Sequence, residues 1–192
     1  MAMDNSPQVN PAALGLVGFG LTTVLLSLIN AGLLPAAGEN VVIPLALAFG
    51  GTIQVLAGLL EVKSGNTFGM TAFLSYGAFW WWFAALLIFG HTGVISLTGA
   101  GSTIGACLLL WGVFTFYMWI ATFALSRTLF LIFLTLWIAF LLLGCGFLLA
   151  RPDLTVYGGY VGLACGGLAM YGSFAITANA TFGRKVLPLG TR

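Results

Sequence analysis

Apolar segments long enough to cross a lipid bilayer follow one another along this sequence. Within 192 residues they occupy positions 12–34, 41–60, 68–90, 103–125, 128–150 and 156–179. A helix that crosses the hydrocarbon core of a membrane needs about 20 predominantly apolar residues, and each of these segments has that length. The sequence therefore predicts an all-α integral membrane protein with six transmembrane helices.

The amino-acid composition excludes a soluble domain and a nucleic-acid-binding surface. Charged residues make up only 5% of the chain and hydrophobic residues 60%, whereas a soluble domain is about 25% charged. The formal net charge of +2 arises from scattered cations, which are too few for a phosphate-binding surface. We therefore expect membrane lipid, and not nucleic acid, to contact the chain.

The sequence contains no motif for catalysis, for a metal or for a cofactor. It lacks a phosphate-binding glycine loop, a zinc-binding HExxH and a GxSxG nucleophile elbow. Its three cysteines lie inside apolar runs without paired spacing, which favours neither a metal site nor a disulfide framework. We predict that the protein is not an enzyme and needs no cofactor.

The segments between the apolar runs predict the domain organisation and the orientation. Residues 1–11 form an N-terminal segment, residues 12–179 the transmembrane domain and residues 180–192 a C-terminal tail. Six spans place both termini on one side, and the other side carries only Arg151, next to Asp153. The cations on the side of the termini are Lys63, Arg127, Arg184, Lys185 and Arg192. Because cytoplasmic loops are enriched in Lys and Arg, we predict that both termini are cytoplasmic.

Uncharged polar side chains recur inside the spans and favour a pathway for a small solute. In the first span, Phe19, Thr23, Ser27 and Asn30 follow steps of four, four and three residues along one helix face. A single hydroxyl is explained by a hydrogen bond back to its own helix. A polar seam to which five spans contribute is better explained by an interior that water or a solute reaches.

Ionisable side chains are expected only at the ends of the spans. Glu61 and His91 lie there, and we expect Glu61 to pair with Lys63, with a role in transport as the alternative. Proton pumps and strongly coupled carriers usually place carboxylates or histidines within the membrane. The pattern therefore does not favour an energised pump.

Glycines recur every four residues in the last span, at Gly158, Gly162 and Gly166. Small residues at this spacing line one helix face and allow two helices to approach closely. We expect this face to pack within a single bundle, with contact between subunits as the alternative.

Three stretches of the sequence carry a specific family pattern. They are NPAALGL from Asn10, GLLEVKSGNTFGMTAFLSYGAFW from Gly58 and FGRKVLPLG from Phe182, and the pattern also includes FLTL from Phe133. In order and spacing they resemble the acetate uptake transporter family, also called the succinate–acetate permease family. The signature of that family is usually written NPAPLGL, so Ala13 stands where a second proline is typical.

The resemblance implies a six-helix protomer that assembles into a homohexamer in the plasma (inner) membrane, with a pore in each protomer. The implied fold is similar to that of proton-gated urea channels. The resemblance also implies transport of acetate and other short carboxylates, in some cases succinate, described both as proton symport and as channel-like. Short carboxylates and protons are therefore the expected partners.

The resemblance further implies which residues line the pore. The narrow apolar constriction of the family corresponds to Phe19 in GLVGFG, Tyr76 in SYG and Leu136 in FLTL. Ala169 falls where the family lines the passage with a small residue. Apolar groups suit the methyl group of acetate, and its oxygens require hydrogen-bond donors. The expected donors are the Tyr76 hydroxyl and three neutral side chains, those of Thr23, Asn30 and Thr135.

Polar residues at two helix ends are further candidates for the pathway lining. The helix starts at Asn10 and near Asn66 and Thr67 expose partial positive charge that suits a carboxylate. Glu61 lies close to the second of these starts. A fixed cation in the same place would bind a carboxylate too tightly for rapid release.

Two other functions fit the same sequence. An uncharged polar seam also suits a channel for a small neutral solute such as urea or ammonia. The glycine face also suits a structural or assembly protein of the membrane, in which helix contacts are the whole function.

Overall fold

Seven α-helices build the part of the chain that the computed structural model describes, residues 9–190. They are α1 (Ala12–Asn30), α2 (Glu39–Leu45), α3 (Gln54–Lys63), α4 (Thr67–His91), α5 (Gly101–Ala121), α6 (Arg127–Leu148) and α7 (Pro152–Thr181). A π-helical segment, Ala46–Ile53, joins α2 directly to α3. Short 3₁₀ turns precede α2 and follow α5, at Ala36–Gly38 and Thr122–Ala124.

Six helical stretches are long and apolar enough to span a membrane, which confirms the predicted architecture. The second stretch, Ala36–Lys63, combines α2, the π-helical segment and α3. It begins at residue 36 instead of the predicted 41, so Pro44, which the predicted start would place in the first helical turn, lies inside α2. Proline lacks a backbone N–H and disturbs the regular hydrogen bonding of a helix interior. The π-helical segment begins two residues after it.

Glycine and proline set two helix ends that differ from the prediction. α1 ends at Asn30 and not at residue 34, because Gly32 adopts a φ of 72°, which terminates a right-handed helix. α7 begins at Pro152 and not at residue 156, since a proline loses no hydrogen bond in the first helical turn. The remaining span ends agree with the prediction within three residues.

The C-terminal tail folds back onto the end of the bundle at which α6 begins. The Oδ1 atom of Asn179 accepts hydrogen bonds from two backbone N–H groups of the tail, at 2.6 and 2.9 Å. The backbone N–H groups of Arg127 and Thr128 donate to the carbonyls of Gly190 and Leu189, at 2.9 and 3.2 Å. These N–H groups have no partner inside their own helix, so the tail caps α6.

Parts of two sequence predictions lie outside the described residues. The predicted N-terminal segment includes residues 1–8, and the count of cations includes Arg192. The other cations of the count lie within residues 9–190.

The glycine face of α7 packs against helices of the same chain. A Cβ atom on Gly166 would lie 2.9 Å from the backbone oxygen of Gly20 in α1, and Gly162 lies directly against Ser27 of α1. Gly158 packs in the same way against α6. The expected packing within one bundle is therefore confirmed for all three glycines of this face.

Gly159→Ala should destabilise the bundle. A Cβ atom at this position would lie 2.7 Å from the backbone carbonyl carbon of Asn30, so α1 and α7 would have to separate. We expect a loss of about 1–3 kcal/mol, the usual cost of overpacking, measured as a lower melting temperature of the purified protein in detergent.

Gly167→Ala is the matched control, because it lies on the same helix and no heavy atom lies within 4 Å of its Cβ position. Alanine favours a helix more than glycine does, so this variant should be as stable as the wild type or more so. Equal melting temperatures for the two variants would contradict the close contact at Gly159.

Candidate functional site

Two cavities lie end to end inside the bundle, and three side chains separate them. Phe19 of α1, Tyr76 of α4 and Leu136 of α6 line both cavities. All three are buried, and the ring centroids of Phe19 and Tyr76 are 5.8 Å apart. We call these three residues the collar. The lower cavity is the one lined by the first residues of α1, and the upper cavity is lined by its last residues.

The ring and the hydroxyl of Tyr76 are fixed by residues of α5. The Tyr76 ring centroid lies 5.3 Å from that of Phe114 and 6.0 Å from that of Trp111. Its hydroxyl oxygen is 2.9 Å from Oγ1 of Thr115, which itself donates to the Trp111 carbonyl at 2.7 Å. Since a hydroxyl has one hydrogen to donate, Tyr76 donates to Thr115. The hydroxyl that we expected to donate to a substrate is therefore used within the protein.

One face of α1 lines the upper cavity with polar side chains. Thr23, Ser27 and Asn30 follow Phe19 along this face, as their spacing predicts, and all four line the same cavity. The buried Thr23 hydroxyl has no hydrogen-bond partner within residues 9–190, and the same holds for Nε1 of Trp80 on the same lining. The upper cavity thus offers unused hydrogen-bond donors.

Asn66 connects the lower cavity to two further cavities at one end of the bundle, which we call the mouth. Asn66 lines all three cavities, and Asn10 lines both of the outer ones. The Oδ1 atom of Asn66 accepts from the N–H of Gly69 at 3.0 Å, and its Nδ2 donates to Oε2 of Glu61 at 2.9 Å. Asn10 likewise accepts from the N–H of Ala12 at 3.0 Å. Both predicted helix starts therefore lie at the mouth, and at each an asparagine side chain accepts from a backbone N–H of the first helical turn.

The predicted ion pair between Glu61 and Lys63 is wrong. Glu61 is 1% exposed, and its Oε2 atom accepts from Asn66, whereas Lys63 is exposed. The two side chains diverge because residues two apart on a helix do not face each other. Within the part of the chain that the structure describes, Oε1 of Glu61 has no hydrogen-bond partner. A buried carboxyl group without a cation thus lies at the mouth, on the lining that Asn10 shares.

Three predicted lining residues line neither the lower and upper cavities nor the cavities of the mouth. Thr67 is the exposed first residue of α4. The Thr135 hydroxyl donates to the Leu131 carbonyl at 2.7 Å, and this bond back to its own helix explains a threonine within the apolar run of α6. Ala169 is fully buried in the hydrophobic core.

A further cavity continues the row beyond the upper cavity. It includes Glu39, the first residue of α2. The residues that it shares with the upper cavity are Leu26, Asn30, Phe79, Phe140 and Leu143. The row of cavities therefore extends from Asn10 at the mouth to Glu39 at the opposite end. Among the described residues, the linings of the lower and upper cavities contain no Asp, Glu, Lys, Arg or His.

Gln54, Trp80 and Glu39 line this row although the sequence did not predict them there. For Gln54 a signal exists, because an amide within an apolar run requires partners. Trp80 lies in an aromatic run at residues 79–83, which is also typical of a membrane-interface belt. Glu39 precedes residue 41, at which the sequence predicts the start of the second span, so no lining role is predicted for it.

The sequence that builds these cavities matches one family model over almost its whole length. The model of the GPR1/FUN34/yaaH family covers residues 2–189. The chain belongs to this family. The match includes the whole collar and both asparagines of the mouth.

Named proteins and a solved structure are similar to this chain. The succinate-acetate/proton symporter SatP of Escherichia coli strain K12 is 42% identical over 188 residues, 98% of each chain. A structure of the bacterial acetate channel SatP is 40% identical, with a TM-score of 0.91 over 96% of this chain and 100% of the other. Ammonia transport outward protein 2 of Saccharomyces cerevisiae is 41% identical over 118 residues, 59% of this chain and 42% of that protein.

These similarities confirm the family resemblance and the fold that the sequence predicted for this GPR1/FUN34/yaaH member. The structural likeness extends over all six spans, because it covers 96% of the chain. The relatives bear names of transporters and channels.

Tyr76→Phe should lower the stability of the bundle by about 1 kcal/mol, the usual net contribution of one buried hydrogen bond. The change removes only the hydroxyl that links α4 to Thr115, which keeps its bond to the Trp111 carbonyl. The melting temperature in detergent measures the loss. Tyr117→Phe is the matched control, because Tyr117 is exposed on α5. If both variants have the melting temperature of the wild type, the hydrogen bond from Tyr76 does not stabilise the protein.

Proposed function

We propose that the protein moves acetate and other short carboxylates across the membrane through the row of cavities that the collar divides. The observation that carries the proposal is the row itself, which runs from the mouth at Asn10 to Glu39 through the interior of one chain. The names of the Escherichia coli symporter and of the acetate channel support these substrates.

The chemistry of the collar and the upper cavity suits a short carboxylate. Acetate joins an apolar methyl group to a carboxylate. Phe19 and Leu136 offer an apolar surface to the methyl group, and Thr23 and Trp80 offer donors to the oxygens. Since no cation lines either cavity among the described residues, the carboxylate forms no ion pair there and leaves rapidly.

The collar is the constriction of the proposed pathway. Its three side chains are the boundary between the two cavities, and they are buried. A permeating acid must pass between them, so their volume determines which acids pass. The hydrogen bond from Tyr76 to Thr115 keeps the aromatic ring of the collar in place.

Both termini face the cytoplasm of the plasma (inner) membrane in this proposal. Lys63 ends α3 and Arg127 begins α6 on the side of the C-terminal tail. At the opposite end, Arg151 donates hydrogen bonds to Asp153 at 2.9 and 2.6 Å, which offsets its charge. The positive-inside rule then favours a cytoplasmic tail.

Six chains form a homohexamer in this proposal, as the family resemblance implies, and each chain has its own pathway.

Protons accompany the substrate in this proposal without a relay of side chains. The carboxyl groups on the described linings, those of Glu61 and Glu39, lie at the two ends of the row. A proton that enters together with the acid needs no intermediate carrier between these ends. Uptake should therefore increase as the external pH falls towards the pKa of the substrate itself.

A channel for a small neutral solute such as ammonia or urea is the second candidate function. The described linings of the lower and upper cavities contain no charged side chain, which suits such a solute. The name of the yeast relative, ammonia transport outward protein 2, supports ammonia. The names of these relatives do not support catalysis, and we propose no enzymatic activity.

Proteoliposomes that contain the purified protein should take up labelled acetate, and faster when the exterior is more acidic. Unlabelled propionate should compete and urea should not, and succinate tests whether dicarboxylates pass. Liposomes without protein correct for diffusion of the neutral acid. Flux of ammonia without uptake of acetate would favour the second candidate, and no flux of any solute would favour a structural role.

Leu136→Ala should increase the ratio of lactate uptake to acetate uptake by about tenfold. The change removes three carbons from the collar, and one methylene in an apolar site alters discrimination by about 10- to 200-fold. Leu131→Ala is the matched control, because Leu131 is exposed on the same helix and lines neither cavity. An unchanged ratio in folded Leu136→Ala would exclude Leu136 from the constriction.

A further inference from the structure

Gln54 is a buried amide whose side-chain oxygen has no hydrogen-bond partner in the part of the chain that the structure describes. The residue is 1% exposed, and its Oε1 atom has no partner anywhere in residues 9–190. Burying an amide without a hydrogen bond is destabilising. A side chain of similar size without polar atoms would avoid this cost, so the amide requires a further explanation.

The position of Gln54 supplies that explanation. It is the first residue of α3, directly after the π-helical segment Ala46–Ile53, and it lines the lower cavity together with the collar. A π-helical turn takes up more residues than an α-helical turn, and such turns are frequent at functional sites. α1 packs closely here, since a Cβ atom on Gly18 would lie 2.9 Å from the Phe49 carbonyl oxygen and 3.8 Å from the backbone nitrogen of Gln54.

The other polar groups on this lining already have partners. The described lining of the lower cavity is apolar apart from Gln54, Asn66 and Tyr76. Tyr76 donates to Thr115, and the Asn66 amide is shared between Glu61 and the N–H of Gly69. Gln54 is thus the polar group of the lower cavity that remains available to a solute.

We propose that Gln54 binds the carboxyl group of the substrate in the lower cavity, immediately before the collar. This inference rests on the proposed function. The amide N–H donates to a carboxylate, and the amide oxygen accepts from a protonated acid. One side chain therefore binds both protonation states, while the alkyl end of the substrate contacts Phe19 and Leu136 of the same cavity.

Gln54→Met tests the proposal, because methionine is unbranched, of similar length and without a hydrogen-bonding amide. The KM for acetate uptake into proteoliposomes should increase about tenfold, as expected for a lost hydrogen bond to a charged group. Thr22→Val is the matched control. Thr22 is fully buried, donates to the carbonyl of Gly18 in its own helix and lines neither cavity, so its KM should equal that of the wild type.

Gln54→Asn provides a second measurement that a merely structural role would not alter. It keeps the amide but withdraws it by one methylene, so the KM for acetate should increase more than the KM for propionate, whose longer chain still reaches the collar. A wild-type KM in folded Gln54→Met, or an unchanged ratio of the two KM values in Gln54→Asn, would overturn the inference. Absence of acetate uptake by the wild type would instead reject the proposed function.

Discussion

The close contact between α1 and α7 determines how the rest of the bundle is arranged. Gly20 and Gly166 approach so closely that a Cβ atom on either would lie 2.9 Å from the backbone oxygen of the other. In lipid, helices associate through such packing and not through a hydrophobic driving force. The contact fixes the rotation of α1 about its axis. That rotation directs Phe19 into the collar and Thr23 onto the upper cavity.

Polar side chains in this bundle fall into two groups with different roles. The hydroxyls of Thr22, Thr115 and Thr135 donate to carbonyls of their own helices. These hydrogen bonds lower the free-energy cost of burying a hydroxyl in hydrocarbon. Gln54 and Thr23 retain unused hydrogen-bonding atoms within the described residues, and each lines a cavity beside the collar. In Gln54 and Thr23, the absence of an internal partner therefore coincides with a position on the pathway.

The sequence predicted the six spans and one face of α1, because hydrophobic length and helical periodicity are local properties. It also predicted the collar by resemblance, and the structure brings those three residues together. The amide of Gln54 within an apolar run indicates a need for partners, but the sequence could not predict which lining Gln54 joins, because a π-helical segment changes the register of the residues that follow. The ion pair expected for Glu61 does not form because Lys63, two residues further along α3, faces another direction, and the carboxyl group instead accepts a hydrogen bond from Asn66. Thr135 shows that a hydroxyl in an apolar run can donate to a carbonyl of its own helix and need not line the pathway.

The cap that the C-terminal tail provides for α6 has a mechanical consequence. Covalent chain runs from Arg127 through α6 and α7 to Gly190, and the hydrogen bond from Arg127 to Gly190 closes it into a ring. The two helices and the tail thus form a closed hairpin whose base cannot splay unless that bond breaks. Leu136 belongs to this closed hairpin and Tyr76 lies outside it on α4, so the collar is formed between the hairpin and a helix that the ring does not include.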